Sequence, residues 1–575
     1  MSLLKLSQAR QLVDWCILWP DLAKVLQQQP LATQPFFRLV HDSRLVEKGD
    51  VFFALNGTQQ KGLAFVEEAW QQGALLAVTE GDLALEKQAQ GWLLTLPNLA
   101  ARLGQLLIVN TQAPVQAIRT HAITGTNGKS SVAHYLCQAW RLLARRTALV
   151  GTLRNGELDN LQTATHTTPD LFTLHQLYAD WAAQGITQVA LEASSHALDQ
   201  GRLDGLRMTS AIYTNLTRDH LDYHGCFAAY VGAKQRLFLR PELEVAVINA
   251  DDAVGQDWLV ALQMAGLHNP SAPPKKLFSY SLKPALALGL EQNSGLEKNS
   301  GLEQNLGLEQ SNNLNPVLAL NVQQANYSLL GIQAEFTYLE QTWSLNLPLL
   351  GAFNLANALA VVAALLAEGI AMPLILKVMQ QLQPVPGRMQ RVILADAKEQ
   401  ALPQVVVDYA HSPDALEQAL LALQQHCQGK LWCVFGCGGD RDVGKRFLMG
   451  EVAQSLANQV LITDDNPRYE NPAAIRQAIL AGASVNKNAN KNANKNVSIL
   501  EVEDRKQAIQ MAVQQAAAED WILIAGKGHE VWQEAAGKRV HFNDVEEALL
   551  ALDARQTLNL KQVIKRTTKK VSCQP

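Results

Sequence analysis

A glycine-rich loop between a predicted strand and a predicted helix constrains the fold of this chain more than any other feature. Residues 115–124 read VQAIRTHAIT, which predicts a strand, and the loop GTNGKSS follows at 125–131. Apolar residues then recur at the three- and four-residue spacing of one helix face, at Val132, Leu136, Ala139 and Leu143. This order of elements indicates an α/β layer with a phosphate site at the helix N-terminus.

The residue types in the loop suit a nucleotide. Gly125 and Gly128 allow backbone N–H groups to close around phosphate oxygens. Lys129 has the reach for the β- and γ-phosphates, and the Ser130 hydroxyl is a ligand type for Mg²⁺. The loop departs from the usual spacing, since Ile123 stands where a phosphate loop normally has a glycine. A turn that needs glycine only for packing is the alternative, and the Lys129–Ser130 pair favours nucleotide binding over it.

Composition excludes several classes of protein. The 575 residues suffice for about three or four domains, and 48% apolar with 18% charged residues exclude a wholly disordered or fibrous chain. A net charge of −4 argues against a surface that binds nucleic acid. Seven cysteines without a CxxC pair indicate reduced thiols, and the strand context of Cys433 and Cys437 favours core packing over a metal pair. We expect a cytoplasmic protein without a signal peptide or membrane insertion, because charges interrupt every apolar run.

Two segments of low complexity and a basic tail interrupt the globular pattern. Residues 289–310 repeat sequences such as GLEQNS, and residues 486–497 repeat NKNA. Neither has the apolar content to offset the entropy of ordering a chain. We therefore expect disordered insertions at about 285–314 and 485–497, with a protein-binding role as the alternative. The basic tail at 561–575 is expected to fray.

The rest of the chain alternates short β-branched runs with helical patterns. Four apolar strands after position 386 end in polar or glycine-rich loops, at 405–408, 431–436, 460–464 and 521–526. Ligands bind outside the carboxyl ends of strands in open parallel sheets, so a second site-bearing α/β domain is predicted there. The predicted domains are a small mixed α/β domain at 1–114 with a strand at 50–55, a central phosphate-loop domain with a mostly parallel sheet at 115–386, and a Rossmann-like α/β domain at 387–575.

Acidic, histidine and lysine side chains follow the phosphate loop. Glu192 comes after the apolar run ITQVAL, where a Mg²⁺ ligand is expected beside a phosphate loop; a helix cap or an ion pair is the alternative. The segment NLTRDHLDYHG then fits either a metal cluster or a plain capped turn, with Asp219, His220, Asp222 and His224 close together. Lys234 by itself predicts only a solvated helix lysine.

In their order and spacing, GTNGKSS, LEASSH, NLTRDHLDYHG and AAYVGAKQRLF resemble the Mur ligase family, the ATP-dependent amide ligases of cell-wall precursor synthesis. Further matching segments cover most of the chain: HDSRLVEKGDVFFALNG, LLGAFNLANALA, PVPGRMQ, VVVDYAHSPDAL, VFGCGGDRDVGKR, TDDNPR and AGKGHE. Only the two repeats and the basic tail lack a counterpart. Within the family the chain resembles most the type that adds the third residue of the stem peptide.

The resemblance implies a two-step reaction. The D-Glu γ-carboxylate of UDP-N-acetylmuramoyl-L-Ala-D-Glu would attack ATP to form an acyl phosphate, and an amino acid would then displace phosphate. The motif DNPR at 465–468 resembles that of enzymes that use meso-2,6-diaminopimelate. Arg468 offers a bidentate fork to the second carboxylate of this amino acid, with Asp465 and Glu530 available for its far ammonium. A surface ion pair is the alternative for Arg468.

The resemblance also implies the catalytic groups, which are Lys129, Glu192, His220 and Lys234. Glu192 and Ser130 would ligate one Mg²⁺, while His220 and Lys234 would serve a second, with Lys234 carbamylated by CO₂. Metal ions would offset the repulsion between the γ-phosphate and the attacking carboxylate. Because carbamylation needs a neutral amine, a lowered pKa of Lys234 is a corollary.

The remaining implied contacts form three groups. ATP would contact Gly125, Thr126, Asn127, Gly128, Lys129, Ser130, Ser131, Asn354, Arg388, Asp408 and His411. The UDP-linked dipeptide would contact His41, Ser43, Thr58, Gln59, Gln60, Thr167, Thr168, Ser194, Gln200, Arg202 and Lys234. The amino acid would contact Arg441, Asp465, Asn466, Pro467, Arg468, Gly526 and Glu530. His166 and Lys61 depart from the family pattern, in which an asparagine and an acid are usual.

Other functions share part of this pattern. The same ligase with L-lysine, a folate-polyglutamate ligase and a phosphate-loop NTPase without an amino-acid acceptor are the enzymatic alternatives. A noncatalytic scaffold would instead bind partners through the repeats, and the four catalytic groups argue against it. We expect a monomer whose partners are small molecules, with no nucleic acid.

Overall fold

A computed structural model describes residues 2–56, 61–111, 114–164, 166–268, 276–284, 316–394, 402–485 and 497–571. The two predicted disordered insertions lie outside these residues, except at their margins. The chain forms two compact units. Unit 1 comprises Met1–Asn321, Thr337–Gln341 and Asn357–Val378, and unit 2 comprises Val322–Phe336, Thr342–Ala356 and Met379–Pro575. The three domain boundaries drawn from the sequence stay a prediction.

Unit 1 begins with a six-stranded sheet in the order β1-β2-β3-β4-β6-β5. Its strands are β1 (Leu3–Arg10), β2 (Phe36–Val40), β3 (Val51–Phe53), β4 (Leu76–Glu80), β5 (Ala84–Lys87) and β6 (Trp92–Leu96). The inner pairs are parallel and both edge pairs are antiparallel. Its helices are α1 (Leu22–Leu26), α2 (Val66–Gln71), α3 (Leu99–Thr111) and α4 (Pro114–Ala117). The fully buried Trp15 ring lies 5.7 Å from that of Phe36, so aromatic packing centres this core.

The second sheet of unit 1 carries the phosphate loop, in the order β10-β9-β8-β11-β7-β12-β13-β14-β15. Its strands are β7 (Arg119–Thr124), β8 (Thr147–Val150), β9 (Arg154–Glu157), β10 (Asn160–Thr163), β11 (Gln188–Glu192), β12 (Met208–Tyr213), β13 (Val245–Asn249), β14 (Lys276–Ser281) and β15 (Val317–Ser328). From β8 to β15 every pair is parallel, which places the carboxyl ends of β11 and β7 side by side. The mostly parallel central sheet is confirmed.

Eight further helices come next after α4 among the described residues, and the first six of them belong wholly to unit 1. They are α5 (Lys129–Leu142), α6 (Leu171–Ala183), α7 (Ser195–Asp199), α8 (Leu221–His224), α9 (Phe227–Gln235), α10 (Ala253–His268), α11 (Ala352–Ala367) and α12 (Met372–Met379). The apolar face predicted for α5 is buried at Val132, Leu136 and Ala139. The strand predicted at 115–124 begins only at Arg119, because Pro114 starts the short helix α4 and presets its helical φ.

Unit 2 contains a second open α/β sheet in the order β18-β19-β23-β20-β21-β22, parallel except for β18. Its strands are β18 (Gln390–Val392), β19 (Gln404–Asp408), β20 (Leu431–Phe435), β21 (Gln459–Ile462), β22 (Ser498–Glu501) and β23 (Trp521–Ala525). The hairpin β24 (Trp532–Ala535) and β25 (Lys538–His541) follows, and β16 (Gly331–Tyr338) and β17 (Gln341–Leu347) lie next to β15 in sheet order. All four strands predicted after position 386 are present.

The helices of unit 2 differ from the sequence prediction at one point, the C-terminal tail. They are α13 (Pro413–His426), α14 (Gly444–Leu456), α15 (Pro472–Val485), α16 (Arg505–Gln515) and α17 (Asp544–Val571). The fraying predicted from residue 561 onward is wrong as far as Val571, because α17 continues through residues 561–571, KQVIKRTTKKV, which contain no glycine or proline. Cys433 and Cys437 are buried in the core, as predicted. Among the described helices, none combines the length and apolarity that crossing a membrane requires.

Candidate active site

Two glycines with positive φ shape the loop between β7 and α5. Gly125 has a φ of +150° and Gly128 a φ of +87°. A Cβ on Gly128 would lie 2.5 Å from Asn357 Oδ1, so only glycine fits there. Gly128 is also the N-cap of α5, which directs the free N–H groups of the first helical turn at the loop. The loop therefore has the backbone donors of an anion site.

Two lysine ammonium groups meet at one carbonyl oxygen of this loop. Lys129 Nζ donates to Gly125 O at 2.9 Å and to Thr126 O at 2.7 Å. Lys234 Nζ, which reaches in from α9, donates to the same Gly125 O at 2.9 Å. Lys234 is buried, and its Nζ lies 4.7 Å from the ring centroid of Tyr230. Burial first, and the charge of Lys129 second, hold the pKa of Lys234 well below its usual value. The solvated-lysine alternative is thereby wrong.

Glu192 lies at the carboxyl end of β11, level with Ile123 on β7. Its side chain is buried. Oε1 accepts from Thr152 N at 3.0 Å, and Oε2 accepts from Thr152 Oγ1 at 3.1 Å. Among the described residues no cation pairs with Glu192, and its side-chain partner is Thr152 and not a helix N-terminus. Both alternatives for Glu192, a helix cap and an ion pair, are therefore wrong. A carboxylate oxygen that accepts one hydrogen bond has a further lone pair for another ligand.

The polar residues predicted for the dipeptide form one network beside Glu192. Thr168 Oγ1 donates to Glu192 O at 2.6 Å, and the Ser194 hydroxyl lies 3.1 Å from Thr168 Oγ1. Arg202 Nη1 donates to Thr168 O at 2.8 Å, while its Nε and Nη2 donate to Gln200 Oε1. Thr167 joins through Thr152, since the two hydroxyl oxygens lie 3.1 Å apart. Residues distant in sequence thus converge where the carboxyl end of β11 meets the phosphate loop.

His220 lies among aromatic rings, with one carboxylate beside it: Asp219 Oδ2 is 3.5 Å from His220 Nε2. It has a φ of +51° and precedes α8 without a side-chain cap, so the predicted capped turn is wrong. Its ring centroid is 4.9 Å from that of His196, which in turn lies 4.1 Å from Tyr223. Within the described residues no three His, Cys, Asp or Glu side chains are grouped to hold a metal ion, so the cluster of Asp219, His220, Asp222 and His224 is not formed. The sequence reading missed His196, whose only signal was its place in LEASSH.

The oxygen donors present still suit Mg²⁺. Glu192 at the end of β11 and the Ser130 hydroxyl at the start of α5 belong to adjacent structural elements. Mg²⁺ keeps several water ligands and takes one or two protein oxygens together with phosphate oxygens, so it needs no cage of three side chains. These residues fit such an ion.

His41 and Ser43, which were predicted to contact the UDP-linked dipeptide, both contact other protein groups in the region of the first sheet. His41 Nδ1 lies 3.1 Å from Phe53 O, and the His41 ring stacks on Phe172 at 5.7 Å between centroids. Ser43 Oγ donates to Glu68 Oε2 at 2.7 Å. The other three candidates, Thr58, Gln59 and Gln60, lie outside the described residues.

In unit 2 the candidates Arg388, Asp408 and His411 surround Tyr409. The Arg388 guanidinium lies 4.6 Å from the Tyr409 ring centroid, and the His411 ring centroid is also 4.6 Å away. Asp408 Oδ1 and Oδ2 accept from Ala410 N and Met389 N, each at 2.7 Å. Asp408 therefore shapes the loops after β19 and before β18. Asn354 Nδ2 donates to Leu350 O at 2.9 Å, which orients the start of α11.

The amino-acid candidates gather at the carboxyl ends of β20, β21 and β23. Arg468 has a φ of +52° and its Nη1 donates to Gly439 O at 2.7 Å, which joins the DNPR turn to the loop of Arg441. Asn466 Nδ2 donates to Glu530 Oε2 at 2.8 Å. A Cβ on Gly526 would lie 2.5 Å from Asp465 Oδ2, so the two loops approach closely. Among the described residues no carboxylate pairs with Arg468, so the ion-pair alternative is not what the structure contains.

Lys527 is a second residue that sequence reasoning missed. Its side chain is fully buried, and its Nζ lies 3.9 Å from Asp465 Oδ1 and 3.3 Å from Glu530 Oε2. The only signal was its position in AGKGHE. Both carboxylates predicted to be free for a ligand ammonium thus already face a buried protein cation.

Comparison with known proteins identifies the family of the chain. Residues 123–271 match the model of the Mur ligase middle domain, and residues 387–528 match that of the Mur ligase glutamate ligase domain. The chain is 40% identical over 528 residues to the UDP-N-acetylmuramoyl-L-alanyl-D-glutamate–2,6-diaminopimelate ligase of Alkalilimnicola ehrlichii, covering 90% of this chain and 95% of that protein. Identity to the enzyme of the same name from Coxiella burnetii is 39%, covering 89% of this chain and 94% of that one.

A solved structure of a ligase with that name superposes with a TM-score of 0.66 at 36% identity, covering 96% of this chain and all of that one. A D-alanyl-D-alanyl-adding ligase from Acinetobacter baumannii shares the fold at 15% identity, with a TM-score of 0.53 and coverage of 91% and 96%. The chain belongs to the Mur ligase family. The predicted fold class and the predicted enzyme class, an ATP-dependent amide ligase, are confirmed with it.

Proposed function

We propose that this chain joins meso-2,6-diaminopimelate to the D-Glu γ-carboxylate of UDP-N-acetylmuramoyl-L-Ala-D-Glu at the expense of ATP. The products are the UDP-linked tripeptide, ADP and phosphate. The relatives that share about 40% of its residues over most of the chain carry this activity in their names. The reaction belongs to the synthesis of peptidoglycan precursors.

The observation that carries the proposal is the convergence of Lys129 and Lys234 on Gly125 O next to the carboxyl end of β11. Acyl phosphate formation brings the γ-phosphate and a carboxylate together, and both are anions. Lys129 and the N-terminus of α5 place positive charge at the phosphates. The network of Thr168, Ser194 and Arg202 beside the carboxyl end of β11 is polar and cationic, which supports binding of the acceptor carboxylate there.

Members of this family use ATP with Mg²⁺, which neutralises phosphate charge when bound. Glu192 and Ser130 are the side chains that would hold it, and His220 would serve a second ion. Lys234 is the site proposed for carbamylation: the neutral amine adds to CO₂ and loses a proton, which gives a carbamate anion. The lowered pKa of Lys234 supports this, because a charged ammonium does not react with CO₂.

Selection of the amino acid is assigned to unit 2. Arg468 and Arg441 would bind the carboxylate that diaminopimelate has and lysine lacks. Asp465, Asn466, Pro467, Gly526 and Glu530 would line the same site. The ATP-side residues Asn354, Arg388, Asp408 and His411 also belong to this unit. We further assign the chain to the cytoplasm as a monomer, where ATP and the UDP-linked substrate are both present.

One assay tests the proposal. Phosphate release from ATP is measured with the UDP-muramoyl dipeptide, with and without diaminopimelate or L-lysine. Release that requires both the dipeptide and diaminopimelate supports the ligase. Release with ATP alone would indicate an NTPase, and equal turnover of the two amino acids would contradict the assigned specificity.

A further inference from the structure

Lys527 is a buried cation for which the proposed reaction has no direct use. Its side chain is fully buried after β23. Its Nζ donates to Asn466 Oδ1 at 3.1 Å, to Glu530 Oε2 at 3.3 Å and to Trp532 O. Removing an ammonium group from water is costly unless charge and hydrogen bonds replace the solvent. This set of acceptors replaces it completely, so Lys527 is held in one place.

The contacts of Lys527 orient the side chain of Asn466. Asn466 Oδ1 accepts from Lys527 Nζ and from Glu534 N at 3.0 Å, while Nδ2 donates to Glu530 Oε2 at 2.8 Å. An amide with donors at its oxygen end and an acceptor at its nitrogen end has one favourable orientation. Loss of the ammonium would remove one of the two donors that hold Asn466 and one of the two donors to Glu530 Oε2.

This arrangement leaves one oxygen of Glu530 for a ligand. Oε2 is taken by Asn466 and Lys527, whereas no donor reaches Oε1 from the residues that the structure describes. The Glu530 side chain is only partly buried, so a ligand can approach it. A carboxylate oxygen binds a charged ammonium group more strongly than a neutral donor.

We infer that Lys527 is a positioning residue for the amino-acid substrate, which holds Asn466 and Glu530 so that Glu530 Oε1 receives a ligand ammonium group. The inference rests on the proposed function, since the ligand is the amino acid of that reaction. Lys527 acts through two other side chains and touches no reacting atom. It also lies close to Asp465, which faces Arg505, Lys527, Glu530 and Asp544.

Lys527→Met tests this role, because methionine keeps much of the length and removes the charge. Loss of a charged hydrogen-bond donor is expected to raise the KM for diaminopimelate about 10- to 100-fold, with the KM for ATP and for the UDP-linked dipeptide unchanged. Lys527→Arg, which retains the charge, should recover part of this loss. Lys506→Met is the matched control, since Lys506 is an exposed lysine of the same unit, paired with Glu547.

A pH profile separates positioning from general damage. Burial raises the pKa of Asp465, and the charges of Arg505 and Lys527 oppose the rise. Without Lys527 the pKa of Asp465 rises further, so the acid limb of kcat/KM for diaminopimelate should move to higher pH in Lys527→Met and stay in place in Lys527→Arg.

The possible results divide clearly. A KM for diaminopimelate within twofold of wild type, or an equal rise of KM for all three substrates, would overturn the inference. Circular dichroism and Tm show whether Lys527→Met folds. If it does not, Lys527→Gln is measured in its place, with the same criteria for KM. Wild-type enzyme that releases no phosphate in response to diaminopimelate would instead refute the proposed function itself.

Discussion

Lys129 and Lys234 donate hydrogen bonds to the same backbone oxygen, that of Gly125, each at 2.9 Å. Two cations at one acceptor repel each other, and Lys234 is the more deeply buried of the two. Its lowered pKa follows from burial first and from Lys129 second. Burial and the neighbouring Lys129 thus favour the neutral amine of Lys234 more than solvent favours that of an ordinary lysine.

Lys234→Ala should therefore abolish most activity, because it removes the amine that would carry the carbamate. Depletion of CO₂ should reduce wild-type activity, and added bicarbonate should restore it. Modification should increase with pH, since the amine is neutral above its pKa, and the lowered pKa moves this rise below the alkaline range of an ordinary lysine. Phosphate release in degassed buffer at several pH values measures both effects. Lys24→Ala, at an exposed lysine, is the control. Unchanged activity of Lys234→Ala would refute the carbamate.

Gly128→Ala should weaken ATP binding. The substitution places a Cβ at a φ of +87° and 2.5 Å from Asn357 Oδ1, so the loop must shift. Gly49→Ala is a matched control, because Gly49 has a φ of +92° with no atom within 4 Å of the added Cβ. Both variants carry a backbone cost of about 1–2 kcal/mol, and only Gly128→Ala should raise the KM for ATP, by about tenfold or more. Equal ATP kinetics in the two variants would show that the close approach to Asn357 is unimportant.

Arg468→Ala should chiefly raise the KM for diaminopimelate. A bidentate Arg–carboxylate contact is worth about 1.5–3 kcal/mol, so a rise of about 10- to 100-fold is expected. The preference over L-lysine should fall by a similar factor, because lysine lacks the second carboxylate. Competition between the two amino acids in the phosphate-release assay measures this ratio. Arg539→Ala serves as control, since Arg539 is an exposed arginine of the nearby hairpin. A preference that survives in Arg468→Ala would assign the selection to another residue.

His175 should make unit 1 acid-labile. Burial lowers the pKa of His175 from 6.5 to about 4, although its Nε2 contacts Asp204 O at 2.9 Å. Because the unfolded state binds the proton more tightly, the stability from this group is complete above pH 6.5 and is lost as the pH falls towards 4. The loss amounts to about 3 kcal/mol. Unfolding of wild type and His175→Gln between pH 7.5 and 4 should show a shallower decline in the variant. The exposed His541 provides the control as His541→Gln, and parallel curves for His175→Gln and wild type would exclude this role.

Local patterns sufficed for much of the fold. The phosphate loop, the apolar face of α5 and the four strands of unit 2 were predictable because backbone conformation and amphipathic spacing depend on neighbours in sequence. The ends of helices and strands were less predictable from sequence. Helix α4 occupies the predicted start of one strand, and α17 extends into the predicted tail.

The sequence by itself determined the family and the residue types of the site, because short motifs specify glycines, a lysine and strand-end carboxylates at the positions where phosphate chemistry needs them. Only the tertiary structure decided which side chains share an environment. Lys234 meets an oxygen 109 residues away, and Lys527 meets Asn466 61 residues away. The pKa of a buried amine and the orientation of a buried amide depend on desolvation and on neighbours in space, and neither is encoded by spacing along the chain.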